Sequence, residues 1–245
     1  MGRSRDLADG TLAELNVDSN TLAVDATNDR VGIGTSSPTG KLTVDGGFLQ
    51  VDVSGTQAIR VGSTDNIVGG TDNDAVLQSN TGKNMRFLTG GSERMRIDSS
   101  GRVTMPYQPA FKVFITNGDN GPNTPITPSN IEYNIGSHYN SSTGRFTAPV
   151  AGIYYFQFSV LMTGYGGGDQ FEAKVRKNGV VVLNADRKAY SSGSTGTSAY
   201  LPGLVHTPIK LNANDFVDFM YYRTGSTGVI HLSADWSMIT GWLIA

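Results

Sequence analysis

The chain contains no cysteine, so it has neither a disulfide framework nor a thiolate metal site, and its stability has to come from packing and association. Aromatic residues are almost missing from its first part: only Phe48 and Phe87 precede Pro106, and the other twenty begin at Tyr107. The C-terminal part can therefore bury a core of its own, whereas the N-terminal part has too little to do so as a single chain. No apolar run is long enough to cross a bilayer, and the opening M-G-R-S-R-D-L-A-D-G lacks the apolar region of a signal peptide. Synthesis in a cytoplasm without membrane insertion is expected. A basic stripe is lacking too. Ten basic and thirteen acidic residues lie up to Pro106, and nine and eight after it, which speaks against a nucleic-acid partner.

What is present in quantity is glycine, 31 residues, together with Ser, Thr, Asn and Asp. This mixture favours many short strands and turns, so the expected fold class is all-β. Residues 1–19 are short and mixed, with Leu7, Ala8, Leu12, Ala13 and Leu15 offering at most one or two helical turns, broken at Gly10. They read either as an attachment segment or as a leader. Residues 20–105 break into pieces such as R-V-G-I-G-T, K-L-T-V-D, N-M-R-F-L-T and R-M-R-I-D, each with only two or three apolar side chains. A monomer of such pieces buries too little to offset about 1–2 kcal/mol per ordered residue. Three chains wound together would share one axial core, giving an intertwined trimeric β shaft. Pro106 and Pro109 stiffen a linker at residues 106–110.

Residues 111–245 carry a different signal. Asn134 is followed at fixed intervals by Tyr139, Phe146, Gly152, Tyr154, Phe156 and Phe158, and the last three alternate onto one face of a strand. This spacing resembles the signature of the complement C1q-like domain, with Pro128 in place of the first aromatic. The resemblance implies a ten-stranded jelly-roll sandwich related to the tumour necrosis factor fold, and a trimeric head. Expected strands run from Phe111, over Ile153–Met162, Phe171–Lys177, Val180–Asn184, Ser198–His206, Asp215–Tyr222 and Ile230–Ile244. Asn178-Gly179 is a hairpin turn by its composition. In the first part, R-V-G-I-G-T-S-S-P-T-G-K-L-T-V at Arg30–Val44 and G-G-S-E-R-M-R-I-D-S-S-G-R-V at Gly90–Val103 resemble shaft elements of tailed-bacteriophage tail fibres. That likeness implies a virion protein which docks with other virion proteins through its N-terminal segment.

Chemistry has few footholds. Gly32-Ile33-Gly34 lacks the third glycine of a dinucleotide fingerprint, Ser37 standing there, and no helix can follow through Pro38 and Gly40. His138, His206 and His231 are far apart and no nucleophile motif accompanies them. Asp169, Glu172, Asp186, Asp215, Asp218 and Asp235 are the carboxylates that a polysaccharide-cleaving spike would have to pair. Asp218 and Asp235 read as solvated strand residues or, as the C1q-like resemblance allows, as part of a structural calcium site. No other cofactor is expected, and no enzyme activity.

The resemblance places both chain ends at the base of the head, so three connections fall at its far tip: Thr163–Gln170, Arg187–Thr197 and Arg223–Gly228. They combine Tyr165, Asp169, Arg187, Lys188, Tyr190, Arg223 and Thr227 with many hydroxyl and glycine residues. Aromatic platforms amid small hydrogen-bonding groups suit a polar ligand such as a glycan. The sequence therefore points to a homotrimeric adhesin for a host cell-surface polysaccharide or lipopolysaccharide. Capsule depolymerase and purely structural virion decoration stand as the alternatives.

Overall fold

The computed structural model describes residues 14–17, 21–46, 49–53, 56–63, 74–79, 81–164, 169–189, 200–225 and 228–245. The chain divides into two compact units, Met1–Thr104 and Met105–Ala245, and among the described residues every regular element is a strand.

The first unit is a series of small sheets. Strands β1 (Glu14–Val17), β2 (Leu22–Asp25), β3 (Arg30–Ile33) and β4 (Leu42–Val44) form a sheet in chain order. Glu14–Val17, in the segment read as capable of helical turns, is thus extended and paired with β2. Local turn chemistry builds this sheet. Asp25 accepts hydrogen bonds from the amides of Thr27 and Asn28, tightening the β2–β3 turn, while β3 and β4 run parallel. Gly34 has φ +81° and a Cβ there would sit on the Asp45 carbonyl, so R-V-G-I-G-T needs glycine where the chain leaves β3. Strands β5 (Leu49–Val53), β6 (Thr56–Ser63) and β7 (Ala75–Ser79) make a second sheet, and β8 (Met85–Thr89), β9 (Ser92–Ile97) and β10 (Val103–Thr104) a third. Strand pairing within the chain is therefore local, antiparallel everywhere but between β3 and β4. What one chain does not supply is a core. Ala23, Gly32 and Pro38 are the buried residues among those whose burial is described in this unit, while Ile33, Leu42, Leu49, Val61, Leu77, Phe87 and Val103 are exposed.

The second unit is a two-sheet sandwich. Its strands are β11 (Ala110–Phe114), β12 (Asn130–Ile135), β13 (Tyr139–Asn140), β14 (Arg145–Thr147), β15 (Gly152–Thr163), β16 (Gln170–Lys177), β17 (Val180–Ala189), β18 (Tyr200–Leu211), β19 (Phe216–Arg223), β20 (Val229–Ile230) and β21 (Met238–Leu243). One sheet has the order β12-β11-β21-β15-β18 with β20 attached to β15, and the other β13-β14-β19-β16-β17. That is eleven strands against the ten expected, the addition being the two-residue β20, which takes the place beside Met162 and Thr163 where β21 has not yet begun. Ile230–Ile244 is accordingly two strands, interrupted by a turn over residues 234–236, and not the single closing strand expected. The alternation of Tyr154, Phe156 and Phe158 puts all three in the core, where they meet Phe111, Tyr139, Phe146, Phe171 and Phe219. Phe111 stacks on Tyr139 at 4.9 Å and on Phe146 at 5.2 Å. Such aromatic pairs contribute about 0.5–1.5 kcal/mol each beyond their burial.

Candidate binding site at the far end of the head

Strand β15 sets the axis of the head. It pairs with β18 over its whole length, from Gly152 opposite Leu211 to Thr163 opposite Tyr200. At the Gly152 end the chain both enters and leaves: Leu243 donates its amide to the Pro109 carbonyl, and Ile153 to the carbonyl of Ala245. A Cβ on Gly152 would lie 2.6 Å from that Ala245 oxygen, which explains the glycine before the aromatic strand. The opposite end gathers Thr163, Tyr200 and Val229 from one sheet and Gln170, Ala189 and Arg223 from the other. The strand ends that lead into residues 164–169, 190–199 and 224–228 therefore share the end of the head opposite Pro109 and Ala245.

The sequence-predicted residues divide as follows. Tyr165, Tyr190 and Thr227 lie outside the described residues. Arg187 and Lys188 belong to β17 and not to a loop, because β17 continues past Asn184 to pair Lys188 with Phe171 and Ala189 with Gln170; their side chains lie outside what is described. Asp169 sits against the third connection, its carboxylate occupying the space where Gly225, at φ +85°, has no side chain. Arg223 donates from Nη1 to the Gly228 carbonyl, and its Nε is enclosed without a partner among the described residues. Its guanidinium thus closes the 224–228 connection, a structural role beside the ligand contact expected. The first and third connections are tied together: the Gln170 amide donates to Thr224 Oγ1 at 2.8 Å and the Thr224 amide to the Gln170 carbonyl at 3.0 Å.

The same end holds a site that sequence reasoning missed. Leu161, Tyr200, His231 and Trp236 line an apolar cavity of about 320 Å³, on the outward face of the six-stranded sheet. Tyr200 and His231 meet edge to face at 5.4 Å, and Trp236 is 61% exposed. The segment carrying His231 and Trp236 is anchored by Ser237, which is fully buried. Its hydroxyl accepts from the Leu161 amide and donates to the His231 carbonyl, both at 3.1 Å. The available signal was the Asp235-Trp236 pair beside an isolated histidine, but only the fold brings Tyr200 across from β18.

Three of the described carboxylates are held by neighbouring cations and amides. Asp218 is fully buried and receives Arg176 Nε at 2.6 Å and Nη2 at 2.9 Å, with Arg145 at 3.5 Å. The expectation of a solvated or calcium-binding Asp218 is replaced by an ion cluster, because Arg176 stands directly opposite it across the β16–β19 pair. Asp215 is near the Gly152 end. It accepts from Asn178 Nδ2 at 2.7 Å, the Asn212 amide at 2.8 Å and Lys177, and these donors, Asn178 foremost, hold its pKa down at about 2. Glu172 pairs with Lys174. Among the described residues no group of three or more His, Asp or Glu could hold a metal. The three histidines stay apart: His138 lies beside Phe146 with its pKa lowered by burial, His206 Nδ1 meets the Tyr155 hydroxyl at 3.1 Å, and His231 faces Tyr200.

Two sheets with this order, enclosing the aromatic core built from the Asn134–Phe158 spacing, define a C1q-type jelly roll. The family model for the C1q domain matches residues 110–244, more than half of the chain, and the chain belongs to that family. Over 71 residues it is 38% identical to the mouse complement C1q and tumor necrosis factor-related protein 9, covering 29% of this chain and 20% of that protein. Over 54 residues it is 41% identical to the human complement C1q tumor necrosis factor-related protein 3, covering 22% of each. The chain thus spans about a fifth of the length of these curated relatives. Among solved structures it is similar to the globular domain of zebrafish complement 1qA (TM-score 0.43, 20% identity, 56% of this chain and 98% of that one). It is also similar to the Eiger TNF of S. frugiperda (TM-score 0.43, 13% identity, 56% and 93%).

Proposed function

We propose that the chain is a homotrimeric fibre protein of a bacteriophage virion, whose C1q head attaches to a host cell-surface glycan, polysaccharide or lipopolysaccharide, without bond chemistry. The observation that carries adhesion is the open aromatic cavity beside the strand ends that lead into three connections, at the end of the head opposite Pro109 and Ala245. An end so placed is the natural contact surface of a fibre. Trp236 and Tyr200 give a saccharide ring two aromatic faces, and Asp169 and the hydroxyl-rich connections supply hydrogen-bonding groups around them.

Trimer formation is supported by the outward face of the six-stranded sheet, which away from the cavity leaves Tyr133, Ile153, Leu204 and Trp242 exposed; an apolar surface of this kind marks an interface. Three heads on one shaft present three copies of the site, and avidity then exceeds the single affinity by about 10² to 10⁴ where geometry allows. The virion assignment rests on the Arg30–Val44 and Gly90–Val103 elements. On this reading the protein is made in the host cytoplasm and residues 1–19 dock with another virion protein.

The test is binding of the purified full chain, beside its Trp236→Ala and Tyr200→Ala variants, to a panel of bacterial envelope polysaccharides, with reducing-end release assayed in the same wells. Binding lost in the variants and no sugar release are expected. Sugar release would make the protein a depolymerase. Binding unaffected by both variants would overturn the site, and a head that binds no envelope material would turn the reading to virion decoration.

A further inference from the structure

Each of the three sheets in the first unit gathers most of its aliphatic side chains on one face. In a sheet, paired residues and residues two apart share a face. The register of β2, β3 and β4 pairs Val24 with Val31, Val31 with Leu42 and Ile33 with Val44, so Leu22, Val24, Val31, Ile33, Leu42 and Val44 stand together. The reverse side holds Ala23, Asp25, Arg30, Gly32 and Thr43. In the second sheet Leu49 pairs with Val61 and Val61 with Leu77, with Ile59 beside them. The reverse face carries Gln50, Arg60 and Gln78, with Gly62 and Val76 beyond them, and Arg60 Nε donates to Gln50 Oε1. In the third, Met85 pairs with Ile97 and Ile97 with Val103, and Phe87 with Met95. Its reverse carries Arg86, Arg96, Thr104 and Leu88, with Glu93 bridging the two arginines.

Three consecutive sheets thus repeat one design: a mainly aliphatic face, exposed or half-buried in the single chain, and a reverse face that carries most of the charged and amide side chains, with an ion-pair cluster in the third. Resting on the trimer reading above, we infer that the aliphatic faces are covered by the equivalent sheets of two further copies of this chain, which enclose a three-sided axial core. The occupant is identified by continuity. One partner has to present a matching, mainly aliphatic face three times in succession, in step with the chain, and a symmetry-related copy does so by construction. The shaft is then a stack of locally paired sheets closed by side-chain packing alone, and strands need not cross between chains.

Because the protein has no cysteine, single cysteines report directly. Leu77→Cys and Val103→Cys lie on the aliphatic faces, and their chain neighbours Gln78→Cys and Thr104→Cys on the charged faces. In the full-length protein, oxidation is expected to move the first pair from the one-chain to the two-chain band, and a short trivalent maleimide to the three-chain band, while the second pair stays monomeric on denaturing gels. Equal linking at neighbouring positions, or none on the aliphatic faces of a protein whose native mass is three chains, overturns the inference. A native mass of one chain overturns instead the trimer reading beneath it, and a ladder ending at two chains replaces the trimer with a dimer.

Discussion

Asn134 and Tyr139 exchange two hydrogen bonds across the turn between β12 and β13: the Tyr139 amide donates to Asn134 Oδ1 at 3.0 Å, and Asn134 Nδ2 donates to the Tyr139 carbonyl at 2.8 Å. One side chain thus does the work of a strand for a segment two residues long, and delivers the Tyr139 ring to Phe111. Asn134→Ala should destabilise the head by about 1–3 kcal/mol, since it leaves a buried donor and acceptor unmatched. Asn134→Asp keeps the acceptor and should recover part of the loss. Denaturant unfolding followed by tyrosine and tryptophan fluorescence measures both, and an alanine variant as stable as the parent would show that the pair is incidental.

The Asp218–Arg176 pair makes a prediction of opposite form. Removing only the carboxylate, as in Asp218→Ala, leaves Arg176 facing a dry site and should destabilise the head by about 3–5 kcal/mol. Replacing both, as Asp218→Leu with Arg176→Met, should cost much less, because neither partner then remains charged and unpaired. A double-mutant cycle read by thermal unfolding distinguishes the cases; equal losses in single and double variants would place the cost in packing alone.

For Asp215 the pH dependence has a definite sign. Its pKa is lowered from the ordinary carboxylate value to about 2, so the stabilisation it brings is present above that ordinary value and is lost as pH falls toward and through 2. Asn178→Ala, which removes the foremost donor, should move the titration of Asp215 upward. Carbon-13 NMR of the Asp215 carboxyl follows this directly, and an unmoved midpoint in the variant would assign the shift to Lys177 and the Asn212 amide.

Much of the head was legible because its signals are local. The Asn178-Gly179 pair gave the β16–β17 hairpin, and both residues do adopt positive φ, 50° and 80°, as such a two-residue turn demands. The period-two aromatics of β15 gave the core face. Strands β12, β13 and β14 were not legible: β12 returns to β11 only after a long polar connection, β13 and β14 are two and three residues long, and β14 takes its second partner, β19, far along the chain. Asp218 was misread for a related reason: its opposite number, Arg176, is fixed by the register of β16 on β19, which no window of sequence contains. The amphipathic sheets of the first unit were visible as pieces with two or three apolar residues each. That these pieces pair with their own neighbours depends on turns such as the one Asp25 organises, where a single side-chain acceptor decides between hairpin and extended chain.

Strand β18 borders the six-stranded sheet and pairs only with β15, and within it lie Pro202 and Pro208, opposite Leu161 and Tyr155. Proline has no amide hydrogen to give. Six residues apart on a strand of period two, both point the same way and leave gaps in the row of donors along the unshared margin. An extended segment of another molecule that tried to zip onto this margin would meet a missing rung at each. Heads crowded side by side at high concentration are thereby kept from lengthening one another's sheets, and remain separate particles.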